Sequence, residues 1–170
     1  MNRRKFIEYS IKTIALASVP VVNFFPKVNI SEDEKKLPWS SNTFKFPLEN
    51  FKLQSGETLK NAFLLVDVNG ELNQSRSNAI IFATCFAGSH KFNQMAYGIN
   101  RALNPLKYCI ITPNLFCSGY SSSPSNTNSP QDGPRFPSVT YYDNINAQDK
   151  LISEHFGITN PLMYLSLIHI

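Results

Sequence analysis

Ala79-Ile80-Ile81-Phe82-Ala83 is matched downstream by Tyr108-Cys109-Ile110-Ile111, a second unbroken apolar run of strand length. A strand reads this way, without alternation, when both of its faces are covered, and such strands belong to a parallel sheet packed between helices. The flanking segments agree. Phe92–Leu103 places Met95, Ile99 and Ala102 at helical spacing before Pro105, so the pattern predicts a helix there. Thr140 and Asp143 form an S/T-x-x-D/E helix start; Ile145, Leu151, Ile152 and Phe156 supply a stripe, and Gly157 a stop. Ile158–Ile170 returns to an apolar, strand-like run. Upstream, Phe51-Lys52-Leu53, the turn Ser55-Gly56-Glu57 and the β-rich Ala62–Val68 predict a hairpin that ends at Asn69-Gly70. A hairpin followed by strands alternating with helices is an α/β fold. No G-x-G-x-x-G or P-loop follows any strand, which argues against a nucleotide cofactor.

The chain has 170 residues, 42% hydrophobic and 16% charged, enough apolar material for one core and too little length for two domains. A complete α/β domain commonly needs about 200–250 residues. The net charge of +4 does not mark a nucleic-acid binder. Residues 1–17 hold +3 of it, and the rest of the chain carries 12 basic against 11 acidic side chains, without a basic stripe.

Met1–Pro20 reads MNRRKFIEYSIKTIALASVP: paired arginines, then the mostly apolar Ile11–Val22 with Ala15-Leu16-Ala17 as a small-residue site. This is the pattern of a secretory signal, and R-R-x-F-I resembles the twin-arginine type. Residues 1–22 are therefore expected to be an export signal that engages the export machinery and sends the protein to the periplasm or outside. Left uncut, it would act as a membrane anchor. The competing reading is a basic amphipathic helix of the fold. Residues 23–47 read as a polar linker, centred on the charge run Ser31–Lys36.

Asn114–Val139 is a 26-residue loop with seven Ser, four Pro and two Gly. A loop of that length is usually functional, yet its hydroxyls equally suit caps and turns, and both readings stay open. Cys85, Cys109 and Cys117 have neither zinc nor C-x-x-C spacing, and no metal site is expected. An oxidising compartment would permit a Cys109–Cys117 disulfide. His155, in the last helical turn, suits the negative end of the helix dipole.

Leu53–Leu59, Gly70–Asn73, Ser77–Ile80, Ala102–Tyr108, Ser121–Thr127 and above all Arg135-Phe136-Pro137-Ser138-Val139-Thr140 with Asp143, Asn144, Ala147, Gln148 and Phe156-Gly157-Ile158 carry a family likeness. In order and spacing, across about residues 48–160, they resemble the homoserine O-acetyltransferase branch of the α/β-hydrolase superfamily. The resemblance implies that residues 48–170 are the N-terminal half of an α/β-hydrolase fold. It further implies a serine acyltransferase with acetyl-CoA as acyl donor and a small-molecule acceptor. The oligomeric state, a homo-oligomer included, is left open. Acyl transfer passes through a tetrahedral oxyanion that fixed backbone N–H groups must meet, one of them from the loop after the third strand. That loop is Thr84–His90, and the resemblance assigns the role to the N–H of Cys85 or Phe86. The bland alternative is an ordinary tight turn. A Cys85–His90 nucleophile pair rests on sequence proximity alone, and His90 reads better as a structural histidine.

The family's next feature, a strand entering G-x-S-x-G, has no counterpart here. Residues 160–170 read Asn-Pro-Leu-Met-Tyr-Leu-Ser-Leu-Ile-His-Ile; Ser166 lies between leucines and no glycine follows Gly157. The nucleophile, acid and base are therefore expected to be absent from these residues, and the chain by itself is expected to be inactive. Truncation of a longer frame is the favoured explanation, since a lone half-sheet leaves an apolar edge unpaired. An exported esterase, with water as acceptor, is the first alternative function; a non-catalytic binding protein on the same scaffold is the second.

Overall fold

The computed structural model describes residues 37–85 and 88–165. Strands β1 (Ser41–Lys52), β2 (Thr58–Asn69), β3 (Ala79–Phe82), β4 (Cys109–Pro113) and β5 (Met163–Leu165) form one sheet in the order β1-β2-β4-β3-β5. The β1–β2 and β2–β4 pairs are antiparallel, while β3 pairs parallel with both β4 and β5. Helices α1 (His90–Gln94) and α2 (Tyr141–Lys150) fall in the β3–β4 and β4–β5 connections. This mixed sheet with flanking helices is consistent with an α/β-hydrolase-like fold.

Both faces of β3 and β4 are covered, which is why β3 is apolar throughout and β4 is apolar but for the buried Thr112. Ala79, Ile81, Cys109 and Ile111 join Leu64 and Val66 of β2 in a core with Ala147, Leu151, Ile152 and Ile158. Phe82 and Ile110, of opposite parity, pack with Tyr97, Leu103 and Trp39 on the other face.

The hairpin is longer than its sequence pattern suggests. Residues 41–47, within the stretch expected to be linker, belong to β1, and the register shifts on either side of Glu49 let the strand pass Pro47. Residues 1–22 and most of the expected linker lie outside the described residues. Among those described, no helix is long and apolar enough to cross a membrane.

Two helical expectations need correction. The helix expected over Phe92–Leu103 is one short turn, His90–Gln94, and Met95 and Ile99 are exposed. The buried side chain there is Tyr97, whose hydroxyl shares a 2.6 Å hydrogen bond with Thr112 and whose backbone bridges to Leu103. Burial pushes its phenol well above the ordinary value, partly offset by the Thr112 bond. Gly98, a poor helix residue, then accepts the turn's closing role through N–H···O=C bonds with Leu103 and Arg101. In α2, Ile145 is exposed, and the buried face is instead Asp143, Asn144, Ala147 and Gln148.

The start and stop of α2 are as the pattern predicts. Thr140 and Asp143 form a full capping box, and Asp143 also accepts the Gln54 N–H at 2.7 Å. Burial opposes the Asp143 charge, but the bonds from Thr140 and Gln54 outweigh it and hold the carboxyl below the usual range. After a π-helical turn at Leu151–His155 the chain leaves through Gly157 at φ +61°, where Arg76 Nη1 donates to its carbonyl.

Candidate active site

The chain leaves β3 for β4 on one side, then crosses back over β3 to reach β5 on the other. β3 lies between β4 and β5, and Phe82 at its carboxyl end stands opposite Leu165 of β5. The loop that begins at Ala83 leaves from this carboxyl end, the side of the strands on which α/β sheets usually bind ligands.

Cys85 begins a tight turn in that loop, its carbonyl accepting the Gly88 N–H at 3.0 Å. Among the described residues no group accepts the Cys85 N–H itself. A Cβ on Gly88 would lie 2.3 Å from the Cys85 Sγ, so the thiol packs directly against the glycine in this rotamer. Phe86, the other expected oxyanion donor, lies outside the described residues.

The loop is braced at both ends by buried polar groups. At its start, Asn93 Nδ2 donates to the carbonyls of Phe82 (2.9 Å) and Ala83 (3.3 Å), and the Thr84 N–H donates to Pro113 O. Thr84 Oγ1 accepts the Leu115 N–H, tying the loop to the chain after β4. At its end, Asn114 Oδ1 accepts the His90 N–H at 3.1 Å. The Asn114 amide donates to Leu65 O at 2.8 Å and faces His90 Nδ1 at 3.1 Å. His90 Nδ1 also lies 3.3 Å from Asn114 Oδ1, so the whole Asn114 amide faces the imidazole. His90 is thus a buried structural histidine, with its ring edge-on to Tyr120, and it makes no hydrogen bond to Cys85. Sequence reasoning missed Asn93 and Asn114, since nothing in hydropathy marks a buried asparagine.

The Ser-rich loop uses its hydroxyls on backbone. β4 covers β2 only from Val66 to Asn69, and the next stretch of β2 is completed by side chains. Ser121 Oγ accepts the Leu65 N–H, Ser122 Oγ accepts the Phe63 N–H, and Gln131 bridges Lys60 N–H and Thr58 O. All three serines 121–123 are buried. Of the two readings of this loop, caps and turns account for these groups. Just past β4, Leu115, Phe116, Cys117, Val139 and Thr140 line an apolar cavity of about 230 Å³.

Cys109 and Cys117 are free thiols, not a disulfide; Cys109 is buried, which pushes its pKa up to about 11. His155 packs against Phe44, Phe46 and Phe156. Ser166 and His169 lie outside the described residues.

No family model matches the chain. An ethyl acetate hydrolase of Pseudomonas veronii is 43% identical over 107 residues, 62% of this chain and 31% of the relative. A probable esterase of Corynebacterium glutamicum is 37% identical over 64% of this chain and 32% of its own length. A homoserine O-acetyltransferase of Methanosarcina acetivorans is 33% identical over 69% of this chain and 24% of its own. Among solved structures, the acetyl esterase MekB superposes with a TM-score of 0.70 at 36% identity, covering 72% of this chain and 36% of that one. An acetylester hydrolase from Corynebacterium glutamicum gives 0.69 at 33%, with the same coverage. The chain thus spans about a third of the length of its esterase relatives. It is related to the esterases and acyltransferases of the α/β-hydrolase superfamily.

Proposed function

We propose that the chain supplies the first part of a serine esterase acting on short acyl esters, acetate esters above all. The 43% identity to an ethyl acetate hydrolase carries this reading. The resemblance to homoserine O-acetyltransferases, from which the sequence reading started, is supported at the lower identity of 33%.

In this reading the Cys85 N–H meets the oxygen of the tetrahedral intermediate, with Phe86 as the other candidate donor from the loop. A fixed donor aimed at developing negative charge is worth roughly 3 kcal/mol in the transition state. No G-x-S-x-G occurs within residues 1–170, so the seryl nucleophile, its base and its acid come from chain outside them. The serine attacks the ester carbonyl, the alcohol leaves, and water releases the acyl group. Export through the N-terminal paired-arginine segment suits this chemistry, because hydrolysis needs only water whereas acetyl-CoA is a cytoplasmic metabolite.

Acetyl transfer from acetyl-CoA to a hydroxyl acceptor is the second reading, favoured by a match that covers 69% of this chain. The test is to assay the complete protein carrying these residues on ethyl acetate, with and without homoserine, and on acetyl-CoA with homoserine. Ester cleavage independent of homoserine supports the esterase. Acetylation of homoserine with negligible ester cleavage refutes it.

A further inference from the structure

We infer that Asn93 is a positioning residue for the oxyanion-binding loop, acting on the Cys85 N–H through the backbone at the end of β3. The inference rests on the esterase reading above.

A peptide unit presents its N–H in a fixed direction only if the carbonyls around it are held. The carbonyl that ends β3, Phe82 O, and the first of the loop, Ala83 O, are both held by one amide, Asn93 Nδ2. They are taken out of the competition for the loop's own N–H groups, and the Cys85 carbonyl is occupied by Gly88 N–H. The Cys85 N–H has no acceptor among the described residues.

Asn93 is 1% exposed, and its Oδ1 is the only buried side-chain polar atom without a partner among the described residues. A purely structural asparagine is expected to satisfy both ends of its amide, since an unmet buried acceptor is destabilising. Here the donor end alone is used, at the place where β3 becomes loop. Such costs persist at functional sites, where geometry outranks stability. Asn104 offers a contrast within the same chain. It is also buried, yet it uses both ends, Nδ2 to Ile99 O and Oδ1 from Leu106 N–H, in the stretch that leads into β4.

The experiment compares Asn93→Ala, the milder Asn93→Ser and the control Asn104→Ala in the complete protein carrying these residues. Each is assayed for acetyl-ester kcat and KM well below its own melting temperature, and for affinity toward a boronic acid that mimics the tetrahedral anion. Asn93→Ala is expected to lower kcat between about 10- and 100-fold with KM nearly unchanged, the scale set by a misplaced oxyanion donor. Boronate affinity should weaken in parallel. Asn93→Ser, which keeps one short donor, should fall between wild type and Asn93→Ala. Asn104→Ala should lose stability but keep kcat per folded molecule. An active wild type whose Asn93→Ala form keeps kcat and boronate affinity within about twofold overturns the positioning role alone. An Asn104→Ala effect as large as that of Asn93→Ala overturns it too. A wild type that cleaves no acetyl ester overturns the esterase reading, and the positioning role falls with it.

Discussion

Replacing Asp143 by alanine removes the one carboxylate that joins the start of α2 to the β1–β2 turn. Its Oδ1 accepts the Gln54 N–H at 2.7 Å, and its Oδ2 accepts the Thr140 N–H and hydroxyl, each at 2.8 Å. The N-cap bond itself, from the residue-143 N–H to Thr140 Oγ1, survives the change. Two backbone donors lose a charged acceptor, at about 1 kcal/mol each when water can partly replace it. The expected loss is therefore about 2 kcal/mol, or a melting temperature lower by about 4–8 °C for a domain of this size. The Asp143 carboxyl lies below its ordinary pKa in the folded chain. Its contribution is thus complete above the unfolded value of about 3.9 and fades as pH falls through the lower folded value. Urea unfolding of wild type and Asp143→Ala should differ by a constant amount between about pH 5 and 7, and converge below about pH 4. Asp143→Asn, which keeps an acceptor for Gln54, should lose less. A neutral-pH difference under about 0.5 kcal/mol, typical of an ordinary surface change, refutes the reasoning. So does a gap that persists unchanged into acid.

Gly70→Ala should be the most damaging glycine substitution. A Cβ there meets the carbonyl oxygens of Pro105 and Tyr108 at 2.3 Å with φ at +84°, so soluble yield should collapse or stability fall by more than about 3 kcal/mol. Ser122→Ala leaves the part-buried Phe63 N–H without its acceptor and should cost about 1–2 kcal/mol in denaturant unfolding. Arg3→Lys with Arg4→Lys should abolish export of a reporter fused to residues 1–22, whereas undiminished export would remove the twin-arginine reading.

Much of the sheet was legible because β3 and β4 are covered on both sides, which favours unbroken apolar runs and leaves Thr112 as their one polar side chain. The capping box was legible because Thr140 and Asp143 do their work within four residues. What failed was the inference from apolar spacing to burial. Met95, Ile99 and Ile145 keep helical spacing and lie exposed, while Asp143, Asn144 and Gln148 are buried by their hydrogen bonds. Hydropathy records transfer to oil, not the presence of a partner. The candidate site shows the same division. The loop after β3 could be located from strand order, but its braces, Asn93 and Asn114, act over gaps of 10 to 49 residues that only the fold closes.

The central claim, that these residues begin an acetyl esterase, is tested most directly by hydrolysis of ethyl acetate by the complete protein, followed as acid release. Saturable release that is lost with a serine-directed phosphonate, and needs no acetyl-CoA or homoserine, is the result expected. Release no faster than that of the heat-denatured protein would contradict the claim.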